Sequence, residues 1–256
     1  MSKDLPLILV TNDDGVSAKG IASLVDSVRD LGEVVVLAPD SPQSGMGHAI
    51  TIHHPIRLNP SDLHGVTEEY SSSGTPVDCV KLAVYEIMQR KPDLLLSGIN
   101  HGTNAATNVL YSGTMSAAVE GAMENIPSIG FSLDSFDADA DFSVAKKVVR
   151  QVVEEALEKG IPDHTCLNVN IPYVKEADHN GIKVCHQAHA FWDDRFESRK
   201  DQFGRPYYWL SGDFKDVEQS DESDLYWLSK GYSTIVPTKF DMTSYATMDH
   251  FNNWKL

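Results

Sequence analysis

Apolar residues fall along this chain in two alternating rhythms. Residues 5–11 form a near-continuous apolar run that stops at Asn12-Asp13-Asp14-Gly15, the pattern of a buried parallel strand followed by a turn. Ile21, Leu24, Val25, Val28 and Leu31 then recur at helical spacing within residues 18–31, and Gly32 follows as a stop. Residues 34–39 read as a second buried strand, with short strand candidates at 49–53, 56–58 and 69–72. Residues 76–89 form a helix with Pro76 in its first turn and Val80, Ala83, Val84 and Ile87 on one face. Residues 94–97, 128–132 and 166–171 complete the set of buried strands. Between them come a helix over 115–124 and a long helix capped by Asp139 or Asp141 and ending at Gly160. Strands alternating with helices predict an α/β protein with a doubly wound, mostly parallel sheet and right-handed crossovers.

Beyond about Tyr173 the rhythm is lost. Short polar strands (183–186, 207–210), a short helix (223–230) and a strand (233–237) precede a tail holding Phe240, Tyr245, Phe251 and Trp254. We therefore expect an α/β core over residues 1–172. Residues 173–256 are a C-terminal extension of hairpin, short helix and tail, serving oligomerisation rather than forming an independent domain. An aromatic tail without a core of its own packs on its own sheet or on a second subunit.

Composition narrows the function. With 256 residues and 41% hydrophobic content the chain can bury a sizeable core. A net charge of −16 argues against tracking a nucleic-acid polymer, which needs clustered Lys and Arg. It leaves room for a small phosphorylated substrate held by a metal and oriented amides. Three cysteines without CxxC spacing fit a reducing compartment. No signal peptide and no membrane-length apolar segment are read from the chain, so a cytoplasmic protein without membrane contact is expected.

Three strand ends carry oxygen-rich turns. The first is Asn12-Asp13-Asp14-Gly15, the second runs from Asp40 through Ser44-Gly45 to His48, and the third is Ser97-Gly98-Ile99-Asn100-His101-Gly102-Thr103-Asn104. In a parallel sheet these carboxyl ends face one crevice. Adjacent carboxylates there are costly unless a cation neutralises them, and carboxylate, hydroxyl and amide oxygens suit Mg²⁺ or Mn²⁺ rather than zinc. Taken alone, the first turn also reads as a plain Asp-Gly turn. Ser112-Gly113-Thr114 opens the third helix of this core with free N–H groups at the positive end of its dipole, a cradle for a phosphate. Ordinary N-capping by Ser112 or Thr114 is the simpler use of the same residues.

Together with Ala38-Pro39, Gln43-Ser44-Gly45, Ala117-Ala118, Glu120-Gly121, Ser223-Asp224, Lys230-Gly231-Tyr232 and Val236-Pro237, these stretches resemble the survival protein E (SurE) family of metal-dependent nucleotidases. The resemblance implies a divalent cation, one per subunit, bound by Asp13, Asp14, Ser44 and Asn100. It implies phosphate contacts from Asn104 and Ser112-Gly113-Thr114, and hydrolysis of nucleoside monophosphates. It also implies a homodimer or a dimer of dimers with an exchanged C-terminal segment. His101 and residues 191–216 follow no pattern of the family.

On this reading Asp13 and Asp14 carry catalysis by holding the cation, one of them also orienting the attacking water. Asn100 and Ser44 keep the site's net charge low. Asn104 and the Ser112–Thr114 amides stabilise charge on the transferring group. His48 and His101 lie in the site loops as candidates for the general acid. Phe191, Trp192, Tyr207, Tyr208 and Trp209 are candidates for base stacking or for a subunit contact.

An aspartyl-phosphate route lacks the Asp-x-Asp spacing of the large phosphatase class. A serine hydrolase reading of Ser44 lacks the Gly two residues before it. The alternative of another class is a non-catalytic metal or phosphate-sensing module, which leaves the anion cradle and amide ligands without a role. The sequence leaves open the preferred nucleotide, 5′ against 3′ phosphate, attack on short polyphosphate, the ion, and dimer against tetramer.

Overall fold

The computed structural model describes residues 5–254. In chain order its elements are β1 (Leu7–Thr11), α1 (Lys19–Val28), β2 (Glu33–Pro39), β3 (Leu58–Pro60), β4 (Glu68–Ser72) and α2 (Pro76–Leu82). They continue with β5 (Leu94–His101), α3 (Gly113–Met123), β6 (Ser128–Asp134), α4 (Ser143–Lys159), β7 (Cys166–Pro172) and β8 (Ile182–Val184). The C-terminal part contains β9 (Ala190–Lys200), β10 (Pro206–Asp216), α5 (Asp224–Ser229), β11 (Ser233–Thr238) and α6 (Met248–Asn252).

Nine strands form one sheet in the order β3-β4-β2-β1-β5-β6-β7-β11-β8. All neighbours run parallel except β3 with β4 and β11 with β7. This is the doubly wound, Rossmann-like α/β architecture the alternation predicts. The two faces follow from the period of two in the strands. Ile8, Val10, Val34 and Val36 point into a core shared with Ile21, Leu24 and Val25 of α1 and Val148, Val149, Val152 and Val153 of α4. Leu7, Leu9, Val35 and Leu37 point the other way, against Cys79 and Val80 of α2 and Ala117 of α3. A sheet covered on both faces has buried strands throughout, which is why β1 and β2 read as unbroken apolar runs.

The chain winds outward from β1 through β2 to β4 and then returns across β2 and β1 to β5, so β1 and β5 border the switch point, and the crevice lies beyond their carboxyl ends. The pairing register of β5 with β6 shifts between Ser97 and Asn100. Gly98 sits in that irregularity with φ +130°, and a Cβ there would stand 2.3 Å from the Phe131 carbonyl oxygen, so only glycine lets the strand turn. β5 thereby carries Asn100 and His101 as strand residues where the sequence predicts a strand ending at 97.

Other boundaries also moved. Residues 49–53 form no strand, because nothing pairs with them. The first helix ends at Val28 rather than 31, and α2 gives way after Leu82 to a π-helical turn, Ala83–Ile87. α4 begins at Ser143 with Phe142 at the cap position. Asp141 accepts hydrogen bonds from the Ser143 amide and hydroxyl, while Asp139 pairs with Lys19 at 2.5 Å.

The extension divides in two. β11 inserts antiparallel beside β7 and parallel to β8, inside the main sheet. β9 and β10 pair antiparallel over eleven residues each as a separate two-stranded ribbon, far longer than the predicted 207–210 strand. Most ribbon residues are exposed on both sides, so no buried face imposed the alternation that betrays a strand. In the tail Phe240 meets His164 edge-on at 5.8 Å, whereas Met242, Tyr245, Phe251 and Trp254 are exposed.

Candidate active site

Beyond the ends of β1 and β5 lies a cavity of about 670 Å³. Asp13, Asp14, Ser44, Asn100, Asn104 and Ser112 all line it, so three stretches distant in sequence (13–14, 44 and 100–112) meet there. The turn after β1 is closed by Asn12, whose side-chain amide donates to the Gly15 carbonyl at 2.9 Å. The Gln43 amide donates to the Asp13 carbonyl at 2.7 Å, tying the Ser44 loop to the acid pair.

Asp13 is buried and Asp14 half-buried. Burial pushes the Asp13 carboxyl up to about 6. A hydrogen bond donated by the Thr114 hydroxyl at 2.5 Å works against that rise, and the Asp14 charge adds to it. Burial likewise raises Asp14, opposed by the His101 amide, which donates to its Oδ2 at 3.2 Å. No lysine or arginine acts on either carboxylate. Two adjoining acids held out of water without a basic partner call for a cation from elsewhere.

The other donors fit a hard ion. Asn100 donates its side-chain N–H to the Gly102 carbonyl at 2.7 Å, which leaves Oδ1 as the free end of the amide. Ser44 offers a hydroxyl on the cavity wall. Among the described residues no group of three or more His, Cys, Asp or Glu forms a metal cluster, so a nitrogen- and sulfur-loving ion has no site here. Two carboxylates, a hydroxyl and an amide oxygen match Mg²⁺ or Mn²⁺ chemistry.

The phosphate candidates separate into two kinds. Asn104 and Ser112 line the cavity, whereas Gly113 and Thr114 do not. Ser112 caps α3, its hydroxyl accepting from the Met115 amide at 3.0 Å. Thr114 spends its hydroxyl on Asp13. A Cβ on Gly113 would lie 2.7 Å from the Asp13 Cβ, so the glycine lets the acid lie against the start of the helix. The same helix start thus seats a carboxylate beside the place proposed for a phosphate.

Several site-building residues escaped the sequence reading. Asn168 and Asn170 of β7 are buried and hold the Asn104 backbone, through bonds of 2.9 Å to its carbonyl and 2.7 Å from its amide. Ser132 receives the Asn104 side-chain N–H at 2.7 Å. Two asparagines inside an otherwise apolar strand were the available signal. Buried Glu120 of α3 pairs with Lys81 at 2.5 Å and with His48 at 2.8 Å, fixing the loop that carries Ser44. His48 is therefore engaged away from the cavity, while His101 lines it. Trp192, Asp194, Leu210, Ser211 and Gly212 of the β9–β10 ribbon, with Tyr111 and Phe136, form the rest of the wall. Of the aromatic candidates only Trp192 reaches the cavity; Phe191, Tyr207, Tyr208 and Trp209 do not.

Residues 8–194 match the family model for survival protein SurE. The chain is 54% identical to the 5′-nucleotidase SurE of Flavobacterium psychrophilum over 257 residues, covering all of this chain and 99% of the relative. It is 47% identical to the 5′-nucleotidase SurE of Bacteroides fragilis, covering the whole of both chains. The crystal structure of the SurE protein from Aquifex aeolicus superimposes with a TM-score of 0.84 at 38% identity, covering 96% of this chain and 98% of that one. Matched by the family model over most of its length and by full-length relatives, this chain belongs to the SurE family.

Proposed function

We propose that the chain is a metal-dependent phosphomonoesterase that hydrolyses nucleoside 5′-monophosphates to nucleoside and phosphate. The observation that carries this is the pair Asp13 and Asp14. Both are raised by burial, neither has a lysine or arginine partner, and both open onto one cavity with Ser44 and Asn100. Asp13, Asp14, Ser44 and Asn100 would hold one Mg²⁺ or Mn²⁺. When bound, that ion neutralises phosphate charge and makes water acidic enough to attack phosphorus near neutral pH.

The protein's own groups do the rest. Thr114 and the His101 amide keep the two carboxylates aimed, so they need not reorganise during the reaction. Asn104, braced by Ser132 and Asn170, and the helix start at Ser112 receive the phosphoryl oxygens. Water adds to phosphorus as the P–O bond to the nucleoside breaks, and the leaving oxygen takes a proton. His101, the histidine on the cavity wall, is placed to supply it.

The reading extends to assembly and compartment. Exposed Met242, Tyr245, Phe251 and Trp254 support an exchanged tail in a homodimer or dimer of dimers. Residues 173–256 then act as an oligomerisation extension of the 1–172 core. Free Cys79, Cys166 and Cys185 fit the reducing cytoplasm. No helix among the described residues is long and apolar enough to cross a membrane.

The test is phosphate release from a panel of nucleoside monophosphates with Mg²⁺ or Mn²⁺. We expect turnover that disappears in chelator and returns with added ion. No release with any ion would overturn the enzyme and leave a non-catalytic metal or phosphate sensor.

A further inference from the structure

Five residues of the cavity wall have no task in phosphate chemistry: Tyr111, Phe136, Trp192, Asp194 and Leu210. Phe136 follows β6 and is 85% exposed, its ring resting on Gly102 of the site loop. Tyr111 is 60% exposed. Trp192 is held in place, donating its indole N–H to Asn108 at 2.8 Å and packing on Phe214 at 5.3 Å between ring centroids. Three exposed rings thus line the cavity instead of a core.

Asp194 is the only charged side chain that the ribbon sends to this wall. The cations around it are taken: Arg195 pairs with Asp213, and Lys215 with Asp193. A free carboxylate repels a phosphate dianion and accepts hydrogen bonds. It therefore cannot serve the charged end of a substrate, and it suits O–H or N–H donors at the uncharged end.

We propose that this wall is a nucleoside subsite, in which Phe136 stacks on the base, Trp192 and Tyr111 border it, and Asp194 accepts a hydrogen bond from the nucleoside. The inference rests on the nucleotidase reading and deepens it. It makes the ribbon a specificity element as well as a projection. Ring stacking is tolerant of base identity, so any discrimination among bases would come from Asp194 when its donor is a base N–H. Its donor comes from the ribose hydroxyls or from base N–H groups, and the substrates below separate the two.

The experiment measures KM and kcat for wild type, Phe136→Ala, Phe136→Trp and Asp194→Ala. Substrates are AMP, GMP, ribose 5-phosphate and glycerol 2-phosphate, the last two without an aromatic ring. Calorimetric titration with adenosine and guanosine gives a second readout that needs no turnover. We expect Phe136→Ala to raise KM for AMP and GMP by about tenfold with kcat little changed. Ribose 5-phosphate and glycerol 2-phosphate should be unaffected, and Phe136→Trp should restore nucleotide KM. Asp194→Ala should raise nucleotide KM as well. A matching rise for ribose 5-phosphate assigns its partner to the ribose, and none assigns it to the base.

Equal effects on all four substrates, or none on any, would overturn the subsite. Should wild type release no phosphate from nucleotides, the nucleotidase reading falls and the titrations still decide the subsite. Nucleoside binding lost in Phe136→Ala and Asp194→Ala sustains it, and absence of binding to wild type removes it.

Discussion

Two regions meet at the cavity and are built in opposite ways. The acid pair sits in the turn directly after β1, a strand buried on both faces of the sheet. The β9–β10 ribbon contributes Trp192, Asp194 and Leu210 from a two-stranded projection with little core of its own. Asp13 is aimed by a buried hydroxyl and by a glycine whose substitution would displace it. Asp194 is aimed only by the course of its strand. The contrast teaches where precision is needed. On the proposed reading, charge that must be stabilised in a transition state is placed by rigid, buried elements, since small misplacements are costly there. The nucleoside subsite proposed above would tolerate an exposed arm, because stacking and rim hydrogen bonds are forgiving of geometry.

The comparison breaks most visibly at Asp13. Asp13→Asn should lower turnover by more than about a hundredfold, beyond the usual loss on removing a supporting residue. The same change should stabilise the metal-free protein. The folded carboxyl titrates at about 6 against an ordinary 3.8. Its stabilising contribution is fully present below pH 3.8 and is lost as pH rises through 6. A neutral asparagine avoids that loss, by about 1–3 kcal/mol at neutral pH. Thermal unfolding in chelator would read it as a Tm several degrees higher, with a flatter pH dependence. Loss of stability together with activity would make Asp13 a structural residue only.

Gly113→Ala comes next. A methyl group there collides with Asp13, so kcat should fall by about ten- to a hundredfold with the fold intact by circular dichroism. Unchanged kcat would mean that the acid needs no such seat. The root of the ribbon is tested by Asp224→Ala. Asp224 is buried and accepts from the Ala106 and Ala188 amides, each at 2.9 Å, tying the ribbon to the cavity floor. Stranding those amides should cost about 2–4 kcal/mol, read as a lowered Tm.

The smallest effect is expected from Glu120→Gln, about 1–2 kcal/mol, since Lys81 and His48 are partly exposed. Burial raises the Glu120 carboxyl, yet His48 and Lys81 outweigh it and leave the group below the ordinary glutamate range. Its contribution is therefore present at neutral pH and is lost on acidification below about pH 4. The gap between wild type and variant in chemical denaturation should close over that range. A gap independent of pH would show that the ion pairs contribute little.

Much of this protein was legible as sequence. Strands covered on both faces are unbroken apolar runs, so β1, β2, β6 and β7 could be found without coordinates. Oxygen-rich turns at the ends of parallel strands must face one way, so the convergence of the three loops could be read in advance, while the choice of Asp13, Asp14, Ser44 and Asn100 within them came from the family resemblance. The ribbon was illegible for the complementary reason: exposed strands carry no period. Asn168 and Asn170 were hidden because their partners lie more than sixty residues away, at Asn104.

Local periodicity and turn chemistry thus determined the sheet, its two faces and the acids at its edge, because backbone geometry ties those features to short-range pattern. Tertiary structure alone decided that Thr114 serves Asp13, that His48 is taken by Glu120 while His101 meets the cavity, and that Asp194 of a distant ribbon completes the wall. Those assignments depend on which side chains come within hydrogen-bonding range after long loops close. Spacing along the chain carries no record of that distance.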